Sequence, residues 1–289
     1  MVGVLRHAKK FTTAAASSKP PLALHGVASS LRFSGNEHYV ALRAANLLSV
    51  ELRERNDLEF DVWATSHVLA PILRVTDEHA IERLATVRDY GWPPSNNVGV
   101  CLAVALHEGS ERPGTLAVAS LQQACELSRY AAQRGLRVRA SLLGAFGTDL
   151  NSENAADAEL KEAASALAEA GVDALVLDDR HDHLGSLAEA EAMRRLERAV
   201  EVLVGLEAPA ARAGKPNTMA ERIGLRLAGS TALGGQLSAH AAISLGVRHL
   251  EACPFGEAAP QMAELASACA DAGLPLHGVD VQQLRESWD

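Results

Sequence analysis

The sequence predicts an α/β protein, a (β/α)8 barrel of the TIM type. Three observations carry that prediction. Short apolar runs of strand length alternate with longer runs rich in Ala, Leu, Glu and Arg at helical spacing, the pattern of parallel strands covered by helices. The chain has 289 residues and is 48% hydrophobic, close to the roughly 250 residues of one such barrel. No GxGxxG follows the first apolar run and no Walker sequence occurs, which weakens the alternative, a doubly wound open sheet built around a nucleotide.

The elements follow in order after Pro20-Pro21. Strand-like runs occupy 22–27, 60–65, 98–106, 136–143, 172–177, 224–228 and 247–252. Helical spacing occupies 38–55, 118–134, 155–170, 187–204 and 260–272. Gly135, Gly171 and Gly273 each stand just past a helical run and just before the next apolar one. That is the place of a helix-ending glycine in a short αβ loop. Only seven strands can be counted, and Gly91-Trp92-Pro93-Pro94 reads as a loop. The barrel is therefore expected to be incomplete if a βα unit is shortened or missing near 88–97.

Composition narrows the function. Aromatics are 4% of the chain, so Ala, Leu and Val build the core. The formal net charge of -9 argues against a nucleic-acid surface as the main business. Cys101, Cys125, Cys253 and Cys269 are scattered with no CxxC pair, so they read as reduced thiols and no disulfide framework is implied. No apolar run approaches the roughly 20 residues of a membrane span. The N-terminus has its own character. No Asp or Glu precedes Glu37, while Arg6, Lys9, Lys10 and Lys19 stand among Thr12, Thr13, Ser17 and Ser18. A basic, hydroxylated, acid-free opening is the composition of an organellar transit peptide. Residues 1–20 are expected to be such a segment, addressed to the mitochondrial matrix, and 21–289 the barrel. A plain basic tail is the alternative.

Four patches carry a family resemblance. Thr65-Ser66-His67-Val68 with Pro71 is similar to a Thr-Ser-Phe-Val-x-Pro motif at the end of a second barrel strand. Arg137-Val138-Arg139 through Gly147 resembles a fifth strand, and Leu177-Asp178-Asp179 a Leu-Gly-Asp-Thr at the end of a sixth. Gly246-Val247 and 273–280 resemble a last strand and closing helix. In this order and spacing the chain resembles the 3-hydroxy-3-methylglutaryl-CoA (HMG-CoA) lyase family of metal-dependent barrels, from about Leu22 onward. The resemblance implies a divalent cation held by an Asp, two His and an Asn, with a catalytic Cys. Here the Asp motif falls on 28–32, which reads Ala-Ser-Ser-Leu-Arg. The His-x-His-Asp motif falls on Leu227, Gly229 and Ser230, none of them a good divalent-metal ligand. Cys253-Pro254 echoes the family's Cys-Pro pair, but the loop around it is shortened. Asp179 and Cys253 are left as vestigial catalytic candidates.

Two readings of function follow. The first is a catalytically degenerate barrel acting as a non-catalytic interaction subunit of a mitochondrial assembly, without cofactor and with protein subunits or copies of itself as partners. The second is an active acyl-CoA carbon–carbon lyase with a rebuilt Mg, Mn or Zn site. Its residues would be Asp179, His181 and His183, which are spaced two apart and would share one face of an extended segment. The plain alternative for 178–183 is a solvated βα loop whose polar groups cap the following helix. His67, His240, His249 and the Glu/Arg run 189–201 read as ordinary core or surface residues.

Overall fold

The computed structural model describes residues 23–27, 49–53, 70–89, 98–107, 117–147, 153–179, 184, 187–206, 222–227, 243–245, 247 and 249–252. The strands are β1 (Ala23–Val27), β2 (Ser49–Arg53), β3 (Ala70–Arg74), β4 (Gly99–Ala105), β5 (Arg137–Leu143), β6 (Ala174–Asp179), β7 (Ile223–Leu227) and β8 (His249–Ala252). Each pairs in parallel with the next in sequence, and β8 pairs back onto β1, so the sheet closes. Parallel pairing throughout requires a crossover after every strand. The described crossovers hold α1 (Glu78–Asp89), α2 (Leu121–Gln133), α3 (Glu153–Glu169) and α4 (Glu189–Val204).

Six strands, β1 and β4 to β8, fall on the runs that the sequence marks as strands. Two corrections stand beside them. β2 lies inside 38–55, which the spacing marks as helix, and β3 was not expected. The run 60–65 lies outside the described residues, as do 1–20 and 260–272. Thr65-Ser66-His67-Val68, matched to the end of a second strand, lie outside the described residues. Among the described residues the second strand is 49–53, and Pro71 lies within β3 as the register partner of Val50. The expected shortened unit falls between α1 and β4, where 90–97 lie outside the described residues.

Helix ends form where the glycines lead one to look. Gly135 has φ 73° and Gly171 has φ 94°, conformations that cost a residue with a Cβ. After α2 the Gly135 N–H donates to the Ala132 carbonyl and the Leu136 N–H to that of Ala131, at 3.0 Å each. After α3 the Gly171 and Val172 N–H groups donate to Ala168 and Leu167, both at 3.1 Å. This double closure satisfies carbonyls that the last turn leaves open and turns the chain into β5 and β6. At the other end of α2, Ser120 Oγ accepts from the Gln123 N–H at 3.1 Å, and Gln123 Oε1 accepts from the Ala119 N–H at 2.8 Å. Two orphan donors are thereby satisfied.

Strand side chains alternate between two environments. Outward residues such as Leu73, Val100, Leu102, Val138, Leu142, Leu175, Leu177, Leu225 and Leu250 are buried against the inner faces of the helices, among them Ile81, Leu84, Leu127, Leu160, Leu167, Leu196 and Leu203. This shell between barrel and helices is the hydrophobic core. The residues that alternate with them face the lumen: Cys101, Ala103, Arg139, Ser141, Val176, Asp178, Arg226 and Glu251. Barrel interiors are usually filled by branched apolar side chains. Here the lumen holds charge.

Candidate functional site: a buried ionic network in the barrel mouth

Charged residues stand at lumen-facing positions of six strands, Glu51 on β2, Arg74 on β3, Arg139 on β5, Asp178 on β6, Arg226 on β7 and Glu251 on β8, and all are buried. Most lie within three residues of the C-terminal end of their strand, the end at which barrel enzymes carry their sites. Neighbouring strands bring some together: Asp178 is the register partner of Arg226, and Arg226 of Glu251. Others meet only because the sheet closes and their side chains cross the lumen.

Arg226 is the hub. Its Nε donates to Glu251 Oε2 at 2.8 Å and its Nη1 to Asp178 Oδ2 at 3.3 Å and Glu51 Oε1 at 3.5 Å. Its Nη2 donates to both Glu51 Oε2 and Glu251 Oε2. Arg139 Nη1 reaches across to Glu251 Oε1 at 2.5 Å, and Arg74 Nε donates to Glu51 Oε1 at 2.7 Å. Three guanidiniums thus face three carboxylates. Burial by itself pulls the Arg226 proton affinity down, and Glu251, Glu51 and Asp178 more than reverse it, holding the guanidinium well above its ordinary range. Such a charge is retained in the interior because it is paired on several sides.

The Cys101 thiol completes the described lumen. It sits 3.7 Å from Ser141 Oγ. Burial first, and then Glu51, push its pKa up from the ordinary 9.0 to about 11, against the opposing pull of Arg74 and Arg226. A thiol so placed stays protonated at neutral pH and is a poor nucleophile.

The sequence candidates are distributed differently. Asp179 is the last residue of β6 and is buried, but alternation sets it opposite Asp178, facing away from the lumen. Its Oδ1 accepts from the Leu184 N–H at 3.3 Å. His181, His183 and Cys253 lie outside the described residues, so no grouping with Asp179 is described. Leu227 ends β7, Gly229 and Ser230 lie outside the described residues, and the lumen-facing residue at that strand end is Arg226. The residues that sequence reasoning passed over are Glu51, Arg74, Arg139, Arg226 and Glu251. Their signal was a charged residue at alternate places inside otherwise apolar strand runs, as in Ile223-Gly224-Leu225-Arg226-Leu227.

A divalent cation does not fit this donor set. The carboxylates it would need are taken by guanidiniums, and among the described residues no group of three or more His, Cys, Asp or Glu side chains is arranged to hold an ion. The arrangement can hold charge in fixed places and present guanidinium N–H groups. It offers no activated thiol.

No family model matches the chain, and no curated protein matches it in sequence. Solved structures do match in shape. The HMG-CoA lyase from Brucella melitensis is 12% identical with a TM-score of 0.64, the match covering 92% of this chain and 96% of that one. The hydroxymethylglutaryl-CoA lyase from Pseudomonas aeruginosa is 15% identical with a TM-score of 0.62, covering 93% and 91%. The dihydropteroate synthase from Thermus thermophilus is 16% identical with a TM-score of 0.52, covering 86% and 93%. At these identities the likeness is one of fold, and the chain has a parallel barrel fold similar to that of the HMG-CoA lyases.

Proposed function

We propose that this chain is a catalytically degenerate lyase-type barrel in which the Arg226 guanidinium supplies the positive charge that a divalent ion would otherwise bring to the mouth. The observation that carries the reading is the Arg226 hub, one buried cation bonded to carboxylates from β2, β6 and β8. A guanidinium neutralises carboxylates but cannot accept a substrate oxygen into its coordination sphere. Without that Lewis acid the chemistry loses several kcal/mol of transition-state stabilisation, and about 1.4 kcal/mol is a tenfold change in rate. The Asp179 bond to the Leu184 N–H supports a backbone-capping role for Asp179 over a rebuilt metal site.

The role that remains is that of a folded scaffold without cofactor, a non-catalytic interaction subunit. The acid-free basic opening, 1–20, supports import into the mitochondrial matrix. Among the described residues Val204 is the single exposed large hydrophobic side chain, so the partner surface we propose on the described helices is polar and charged. No described helix is long and apolar enough to cross a membrane. The test is turnover: the full chain, purified and incubated with Mg²⁺ or Mn²⁺ and HMG-CoA, is expected to release no acetyl-CoA. Cleavage above the no-protein rate would overturn the reading. Affinity purification of the native protein tests the scaffold role, and the expected result is co-migration with a large assembly.

A further inference from the structure

We propose that the C-terminal mouth of the barrel binds a small oxyanion, a carboxylate or phosphoryl group, on the buried, unpartnered Nη1 and Nη2 of the Arg74 guanidinium. This inference does not depend on whether the barrel is catalytic. Arg74 is the last residue of β3 and is 2% exposed. Its Nε is spent on Glu51, but Nη1 and Nη2 are buried with no hydrogen-bond partner. A charged donor left unsatisfied in the interior costs more than an ordinary missing hydrogen bond. Arg226 shows how this lumen treats a guanidinium it intends to satisfy internally, with several carboxylate contacts.

The available internal acceptors do not reach Arg74. Both oxygens of Glu51 already accept from Arg226, and Oε1 also accepts from Arg74 Nε. Glu251 is engaged by Arg139 and Arg226, and Asp178 by Arg226. The register neighbour on β4, Cys101, carries a protonated thiol and supplies no negative charge. The three guanidiniums and three carboxylates of the network balance in charge, yet the carboxylate oxygens converge on Arg226 and Arg139 and leave two Arg74 nitrogens without an acceptor. A buried cationic edge without an acceptor and its strand-end position at the mouth together point to a ligand anion. The two terminal nitrogens of a guanidinium present parallel N–H bonds that match two oxygens of one carboxylate or phosphoryl group.

The experiment compares thermal unfolding of the full chain in 10 mM sodium phosphate, in 10 mM sodium acetate, and in sodium chloride of equal ionic strength. For binding near 1 mM, phosphate or acetate is expected to raise Tm by about 3 °C over chloride. Arg74→Gln is expected to abolish the rise. A larger effect of phosphate assigns a tetrahedral ligand group, and a larger effect of acetate a planar one. No rise with either anion, or an equal rise in Arg74→Gln, would overturn the proposal. If Arg74→Gln fails to fold, crystals of the unaltered chain soaked in selenate decide. Anomalous density within hydrogen-bond distance of Arg74 Nη1 or Nη2 is expected, and density elsewhere only, or water alone at that edge, would overturn it.

Discussion

Arg226 concentrates the energetics of the lumen in one side chain. Its removal leaves Glu51, Asp178 and Glu251 facing one another with less positive charge, in a medium where charges are poorly screened. Breaking a buried pair by deleting one partner costs about 3–5 kcal/mol, and Arg226→Met is expected to destabilise by at least that much in urea unfolding. Part of the loss should return in Arg226→Met/Glu251→Gln, because the uncompensated carboxylate is removed with its partner. A double variant as unstable as the sum of the singles would argue that the hub is not coupled as described. Cys101 gives a second, independent test. Its folded pKa of about 11 lies above the ordinary 9.0. The folded state therefore favours the neutral thiol, and this contribution is fully present below pH 9 and is lost as pH rises from 9 toward 11. Two pKa units correspond to roughly 3 kcal/mol. Cys101→Ser is expected to flatten the alkaline fall in stability over that window. In the native protein at pH 8, Cys101 should resist iodoacetamide under conditions that label it after denaturation, and rapid native labelling would contradict its burial.

At the scale of elements, the clearest signals in the sequence were punctuation and outward periodicity. Helices α2 and α3 sit where helical spacing and the following Gly135 and Gly171 put them, because local chemistry closes those helix ends, and α4 sits where its spacing alone put it. Ser120→Ala removes the acceptor for the Gln123 N–H and is expected to cost about 1 kcal/mol. Chemical denaturation reads that change, and a neutral result would mean the cap is not formed. The same reading misassigned β2 for a physical reason. Ser49-Val50-Glu51-Leu52-Arg53 ends in three good helix formers and buries Glu51 in the lumen network, so it does not present the apolar run expected of a doubly covered parallel strand. β3 was obscured by Pro71, which ordinarily demotes a strand. In both cases neighbouring strands override local preference. The outer core behaves as expected of close packing: Leu142 is fully buried, and Leu142→Ala should cost about 2–5 kcal/mol.

For the molecule as a whole, barrel closure makes the site. Arg226 and Glu51 are 175 residues apart in sequence, and Arg139 and Glu251 are 112 apart. No local motif joins them, and they meet only because β8 pairs with β1 and the lumen is narrow. The fold was therefore legible in the alternation of runs, while the ionic network was not. The family's ligand motif falls on Leu227 and Gly229, one and three residues after the lumen-facing Arg226. Charged residues at alternate positions in apolar strands, as in β5, β7 and β8, were the available clue, and they have meaning only once the strands are known to enclose a common axis. The likeness to HMG-CoA lyases is likewise a property of the whole fold, shared at 12% and 15% identity. The central claim is that the positive charge of the mouth is covalently attached, as Arg226, and is not a bound ion. Titration of the full chain with Mn²⁺, followed by electron paramagnetic resonance, tests it most directly. The free-ion signal should rise in proportion to added Mn²⁺ from the first addition, whereas suppression of that signal up to one equivalent per chain would contradict the account.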